Sequence, residues 1–146
     1  MLPRDWPGGM AKAGSKMEEA LLAMLLRDGG VASIFGDRIW PMVAPQTSIR
    51  PYAVIQKASS ITDYTMSGSS GYGLARVQID SYAETYDQAK RGIRLIRTAL
   101  SGRRTGIFQG IFAETERDLT ENNSILTLAV RPYRVSQDFM IHHTGD

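Results

Sequence analysis

Ala75-Arg76-Val77-Gln78-Ile79-Asp80 places an apolar side chain at every second position with polar ones between. Successive side chains of an extended chain point to opposite faces, so this alternation predicts a strand with one buried and one polar face. The period then changes. Thr85 and Gln88 have the spacing of a capping box, and Tyr86, Ala89, Ile93, Ile96 and Leu100 recur on one helical stripe. The opposite stripe of that helix is Lys90, Arg91, Arg94 and Arg97.

Towards the N-terminus, Met17, Ala20, Leu21, Met24 and Leu25 repeat at helical spacing, and Ser15 with Glu18 is a second capping box. Gly29-Gly30 is expected to end this helix, with Val31 to Phe35 as a short turn tucking Ile34 and Phe35 into the core. Asp37 to Val43 reads as a strand whose Pro41 cannot donate to a ladder, which puts it at an edge or a bulge. Tyr52 to Ala58 reads as the next strand. Ser59 to Gly73, rich in serine and glycine and without apolar periodicity, is expected as a long loop joining two strands as a hairpin.

Towards the C-terminus, Gly102 and Gly106 frame a basic turn, and Ile107 to Glu116 reads as a strand with a bulge at Gly110. Arg117 to Ser124 is expected as a polar loop. From Ile125 to His143 the chain is strand-rich, bending at Pro132, with Tyr133, Val135, Gln137, Phe139 and Ile141 alternating against Arg134, Ser136, Asp138, Met140 and His142. Residues 1–14, with two prolines, are expected as a flexible arm, and residues 15–146 as one domain. The order predicts an α+β fold: a mainly antiparallel sheet of four to five strands, two helices packed on one face, and a long hairpin loop.

Composition narrows the chemistry. A chain of 146 residues with 42% apolar content buries enough surface to hold a single core without a metal or disulfide staple. With no cysteine, thiolate metal sites, disulfide frameworks and cysteine nucleophiles are excluded. The apolar run Ala20 to Leu26 is far shorter than the roughly 20 residues of a membrane span, so no membrane association is expected. Nor does the start of the chain, with Pro3, Asp5, Pro7, Gly8 and Gly9, have the apolar centre of a secretion signal.

The chain carries 17 basic and 15 acidic residues, unevenly placed. Lys90, Arg91, Arg94, Arg97, Arg103 and Arg104 lie in one stretch without an acidic residue, on a remainder that is net acidic. Such polarity suits contacts between copies or with a charged partner. Arginine outnumbers lysine 13 to 4, which favours planar, bidentate interface contacts. Nucleic-acid recognition would want stacking aromatics beside the cations, and Tyr86 lies on the opposite stripe.

No catalytic constellation emerges. Gly68, Gly71 and Gly73 precede a strand, whereas a phosphate cradle needs a helix N-terminus and a following Lys-Ser/Thr pair. His142 and His143 are adjacent on a strand and so point to opposite faces, which does not suit one metal ion. Glu114 and Glu116 are expected to share a strand face, either solvated or bridged to arginine. No enzyme activity, cofactor or metal site is expected.

Several motifs occur together. They are Met17-Glu18-Glu19-Ala20-Leu21, Gly36-Asp37-Arg38-Ile39-Trp40-Pro41 after Val31 to Phe35, Ala44-Pro45-Gln46, and Arg50-Pro51-Tyr52-Ala53-Val54. Further along are Ala75-Arg76-Val77-Gln78-Ile79-Asp80-Ser81-Tyr82, Glu116-Arg117-Asp118-Leu119 and Tyr133-Arg134-Val135-Ser136-Gln137-Asp138-Phe139. In this order they resemble the tail terminator family of tailed bacteriophages, also called tail completion or tail-to-head joining proteins. The resemblance spans about residues 17 to 143. Two departures are the 16-residue leader and extra residues between Asp118 and Tyr133.

The resemblance implies a structural virion protein of the tail neck, assembled in the bacterial host cytoplasm. Its members form a homo-oligomeric, hexameric ring that caps the head-proximal end of the tail tube, stops tube polymerisation and offers the head-joining surface. The implied partners are the tail tube protein and a head completion or connector protein, with DNA passing through the lumen without sequence-specific binding. On this reading Lys90, Arg91, Arg94 and Arg97 face a neighbouring subunit or the tube, and Asp63, Tyr64, Met66 and Tyr72 belong to an assembly loop. The alternatives are a head-side connector or adaptor, which would be more helical, and a small ligand-binding α+β domain using the Gly68 to Gly73 loop.

Overall fold

The computed structural model describes residues 16–45, 47–65, 68–120 and 133–144. In chain order the elements are α1 (Lys16–Arg27), α2 (Gly29–Phe35), β1 (Ile39–Pro41), β2 (Tyr52–Thr65), β3 (Gly68–Ala83), α3 (Tyr86–Leu100), β4 (Phe108–Thr120) and β5 (Tyr133–Thr144). The strands form one open sheet in the order β1-β2-β3-β5-β4, in which β1 runs parallel to β2 and the other neighbours are antiparallel. The helices pack on one face, and the fold is α+β. The expected N-terminal arm and the Ser15 cap lie outside the described residues.

There are three helices where two were expected. Gly29 and Gly30 do not end α1 so much as begin α2. Asp28 between the two helices has an extended backbone, and its side chain accepts the Val31 N–H at 3.0 Å, opening a new helix where a turn was anticipated. Glycine at position 30 has a packing reason, since a Cβ there would come within 3.2 Å of the Leu95 side chain on α3. The crossing is tighter still at Gly92, where a Cβ would meet Phe35 at 2.5 Å and Ser81 Oγ at 2.8 Å. Glycine thus lets α3 lie close to both α2 and the sheet.

One stripe of each helix and one side of the sheet supply the core. Met17, Leu21 and Leu25 of α1, Phe35 of α2 and Ile93, Ile96 and Leu100 of α3 are fully buried against Val77, Ile79, Val135, Phe139 and Ile141. Thr85 caps α3 as its spacing predicts, its hydroxyl accepting the Gln88 N–H at 3.2 Å. Tyr86, however, is 43% exposed and belongs to the surface rather than the core stripe.

The Ser59 to Gly73 segment is strand, not loop. β2 and β3 remain paired from Tyr52 opposite Tyr82 to Thr65 opposite Gly68, with register shifts at Lys57/Ser59 and Thr62/Tyr64. A ladder needs backbone donors and acceptors rather than apolar alternation, so serine, threonine and glycine could carry it unseen by periodicity. β5 ends at Thr144 opposite Tyr72. Past that point, among the described residues, the hairpin continues as a two-stranded ribbon.

β4 likewise outruns its expected end, because Arg117 to Thr120 stay paired with β5 through Ser136 to Tyr133. Residues 121–132, which hold the rest of the expected polar loop and the start of the expected last strand, lie outside the described residues. Pro41 closes the three-residue edge strand β1, as its missing N–H requires. The expected irregularity at Gly110 is present as a register shift between Phe108 and Gly110.

Candidate assembly surface

A second shift in β4 corrects the reading of its two glutamates. Between Ala113 and Glu116 the strand carries an extra residue relative to β5. Such a bulge reverses the facing of the residues beyond it. Glu114 therefore sits on the uncovered side, 3.0 Å from Arg76 on β3, while Glu116 turns to the helix side and meets α3.

There Glu116 stands between two cations of the basic stripe. Lys90 Nζ lies 2.5 Å from one carboxylate oxygen and Arg97 Nη1 3.0 Å from the other. Lys90 also reaches Asp118 at 2.8 Å, and Tyr86 donates its hydroxyl hydrogen to the same carboxylate at 2.7 Å. Asp118 and then Glu116 push the Lys90 ammonium above its ordinary range, because each stabilises the charged form. Lys90, followed by the Tyr86 hydroxyl, lowers Asp118. Two of the four cations read as interface residues are thus engaged within their own chain.

Arg91 and Arg94 differ. Both are exposed on the outer surface of α3, and among the described residues neither has an ion-pair partner. Three residues apart on one helix, they make a two-arginine patch flanking the neutralised cluster.

The other side of the sheet carries polar pairs that the sequence did not signal. Asp80 on β3 is 1% exposed, receives Arg134 from β5 at 2.8 Å and accepts the Gln78 amide at 2.9 Å. Nearby, the Arg117 guanidinium forks onto both oxygens of Asp138 at 3.1 and 3.2 Å. Each partner came from a different strand, so strand order and register were needed to find them. Tyr52 and Tyr82 stack with centroids 4.8 Å apart.

Of the expected assembly loop, Asp63 and Tyr64 lie on β2 where it forms the ribbon, Tyr72 lies on β3, and Met66 is outside the described residues. The Tyr72 hydroxyl meets His142 Nδ1, and Phe112 meets the same imidazole edge-on at 5.6 Å. His143 points the other way, over Gly73, whose absent side chain makes room for the ring. The two histidines are therefore on opposite faces, as their adjacency predicts. Among the described residues no three potential metal ligands come together, and no helix is long and apolar enough to cross a membrane.

This hairpin-rich sheet under three helices has known counterparts. The family model described as tail completion protein gp17 matches residues 19–144. The chain belongs to that family. A chain from the solved virion of a native gene transfer agent particle is similar in fold, with a TM-score of 0.68 at 15% identity, covering 86% of this chain and 92% of that one. The search of curated proteins found no match. As a tail completion protein, the chain has a structural role in a phage-like virion.

Proposed function

We propose that this tail completion protein is the terminator of its tail, a hexameric ring seated on the head-proximal end of the tail tube. One ring face matches the last ring of tube protein, and the other accepts the head completion or connector protein but no further tube subunit. Polymerisation stops because the second face lacks the tube's own binding surface, so no chemical step is needed. DNA passes through the lumen without sequence-specific contact. The neck is then its place in the virion, and the host cytoplasm the site of assembly.

The observation that carries this reading is the family match over residues 19–144, which takes in all eight elements apart from the first residues of α1. The surface is compatible with it. Arg91 and Arg94 are the cations left for an acidic neighbouring subunit or tube surface, since Lys90 and Arg97 are engaged by β4. The β2–β3 ribbon, with Asp63, Tyr64 and Tyr72, extends beyond β5 and is the element suited to reach an adjoining ring.

Deleting the gene and imaging lysates by negative stain tests the assignment. Overlong tubes beside unjoined, filled heads are the expected result; tails of normal length beside tailless heads would make the protein a head-side connector instead. Arg91→Glu with Arg94→Glu should reduce joined particles while leaving the melting temperature unchanged, and undiminished particle yield would remove the arginines from the interface.

A further inference from the structure

The chain between β1 and β2 holds apolar side chains out into water. Met42, Val43 and Ile49 are 56, 72 and 67% exposed within eight residues, whereas single exposed apolar residues are the ordinary case. The segment is braced in that posture. Met42 has φ 67°, a left-handed backbone uncommon for a residue with a side chain. Its N–H donates to Ile55 O at 2.8 Å, its carbonyl accepts the Gln56 amide at 3.2 Å, and Trp40 Nε1 donates to Ser48 Oγ at 3.2 Å. Backbone strain held by its surroundings, beneath exposed apolar side chains, is the form of a preorganised contact.

At the other margin of the sheet, β4 offers a receiving surface. Its outer edge pairs with no strand among the described residues, and Phe112 on it is 54% exposed. The β1 and β4 margins lie four strand spacings apart, about 19 Å. Their unpaired charges are of opposite sign. Asp37, at the foot of β1, is exposed without an ion pair among the described residues, and Arg91 and Arg94 stand on the helix beside β4. Arg38, next to Asp37, turns its guanidinium inward to the carbonyls of Pro51 and Ile34.

We infer that the 42–49 segment of one copy seats against the β4 margin of the next, with Val43 and Ile49 meeting the surface around Phe112. A ring built head to tail needs two different surfaces on opposite sides of each subunit, whereas a two-fold dimer needs one that matches itself. The two margins meet the first requirement. This deepens the ring reading above and rests on it.

The absence of native cysteine makes the contact directly testable. Val43→Cys and Phe112→Cys, singly and together, would be carried in assembled tails and treated with a short bismaleimide. The double variant should give a ladder of cross-linked species rising to the ring number, and neither single variant should give a dimer. Dimers from a single variant would show a self-matching contact and overturn the inference. So would a double variant without a ladder in tails whose ring is still seen by microscopy, and in that case the ring reading would stand. If glutaraldehyde gives no oligomer and microscopy shows no ring at the tail end, the ring reading fails and takes this inference with it. Thermal melts check the variants, and both positions are more than half exposed, so a loss of fold is not expected.

Discussion

The two faces of the sheet solve burial differently. Beneath the helices, alternate residues of β3 and β5 are apolar and fully buried, and charge is confined to the rim where α3 passes β4. On the opposite face no helix lies among the described residues, yet Asp80, Ser136 and Asp138 are buried there too. Long arginine side chains from neighbouring strands cover them, pairing head groups while laying their stems over the strand. The covered face is therefore held by area removed from water, and the open face by matched partners whose value depends on register.

The largest effect should separate two neighbours on β5. Phe139→Ala empties a site with no exposure beneath the helices and should cost about 3–5 kcal/mol in denaturant unfolding. Met140→Ala, one residue on and facing the open side, should cost well under half as much. Equal losses would mean that the open face is also an apolar core.

A smaller difference should divide the ion pairs. Arg134→Met leaves the Asp80 carboxylate buried without its guanidinium, at a cost of about 1–3 kcal/mol, part of which Asp80→Asn should restore in the double variant. Lys90→Met at the better-solvated helix rim should cost less than about 1 kcal/mol, since its partners Glu116 and Asp118 keep access to water. A reversed order in thermal or urea melts would contradict the contrast in burial.

The smallest effect is a pH dependence. Asp118 is lowered in the folded chain by Lys90 and then by Tyr86, so its contribution is present above the ordinary aspartate range and is lost as pH falls through its folded value. Wild type should therefore exceed Asp118→Asn in melting temperature at neutral pH and converge with it in acid. For Lys90, which is raised, the contribution is complete below its ordinary value of 10.5 and declines only at higher pH, so it adds nothing to the acid limb. A constant gap down to strong acid would remove the Asp118 pair from the rim's electrostatics.

Much of this was legible in the residue order. The alternation at Ala75 to Asp80 and again through Tyr133 to His142 located the two central strands, the capping box at Thr85 located α3, and Pro41 located an edge. Where the reading stopped, a specific signal was absent. Ser59 to Thr65 has no apolar period because that stretch is paired through its backbone, and a periodic pattern reports burial rather than pairing. Val31 to Phe35 looked like a turn because two glycines precede it; Asp28 and the close approach of α3 make it a helix.

The basic stripe shows the division most plainly. Residue order placed Lys90, Arg91, Arg94 and Arg97 on one side of a helix, because helical spacing depends only on neighbours in sequence. Which of them remain free depended on a one-residue bulge in β4, a strand that begins eight residues after the helix ends. That bulge turned Glu116 towards α3 and Glu114 away from it. Local periodicity thus determined the elements and their polar and apolar sides. Register between distant strands, set by backbone pairing and by the shape of the packed layers, decided which charges meet and which are left for a partner.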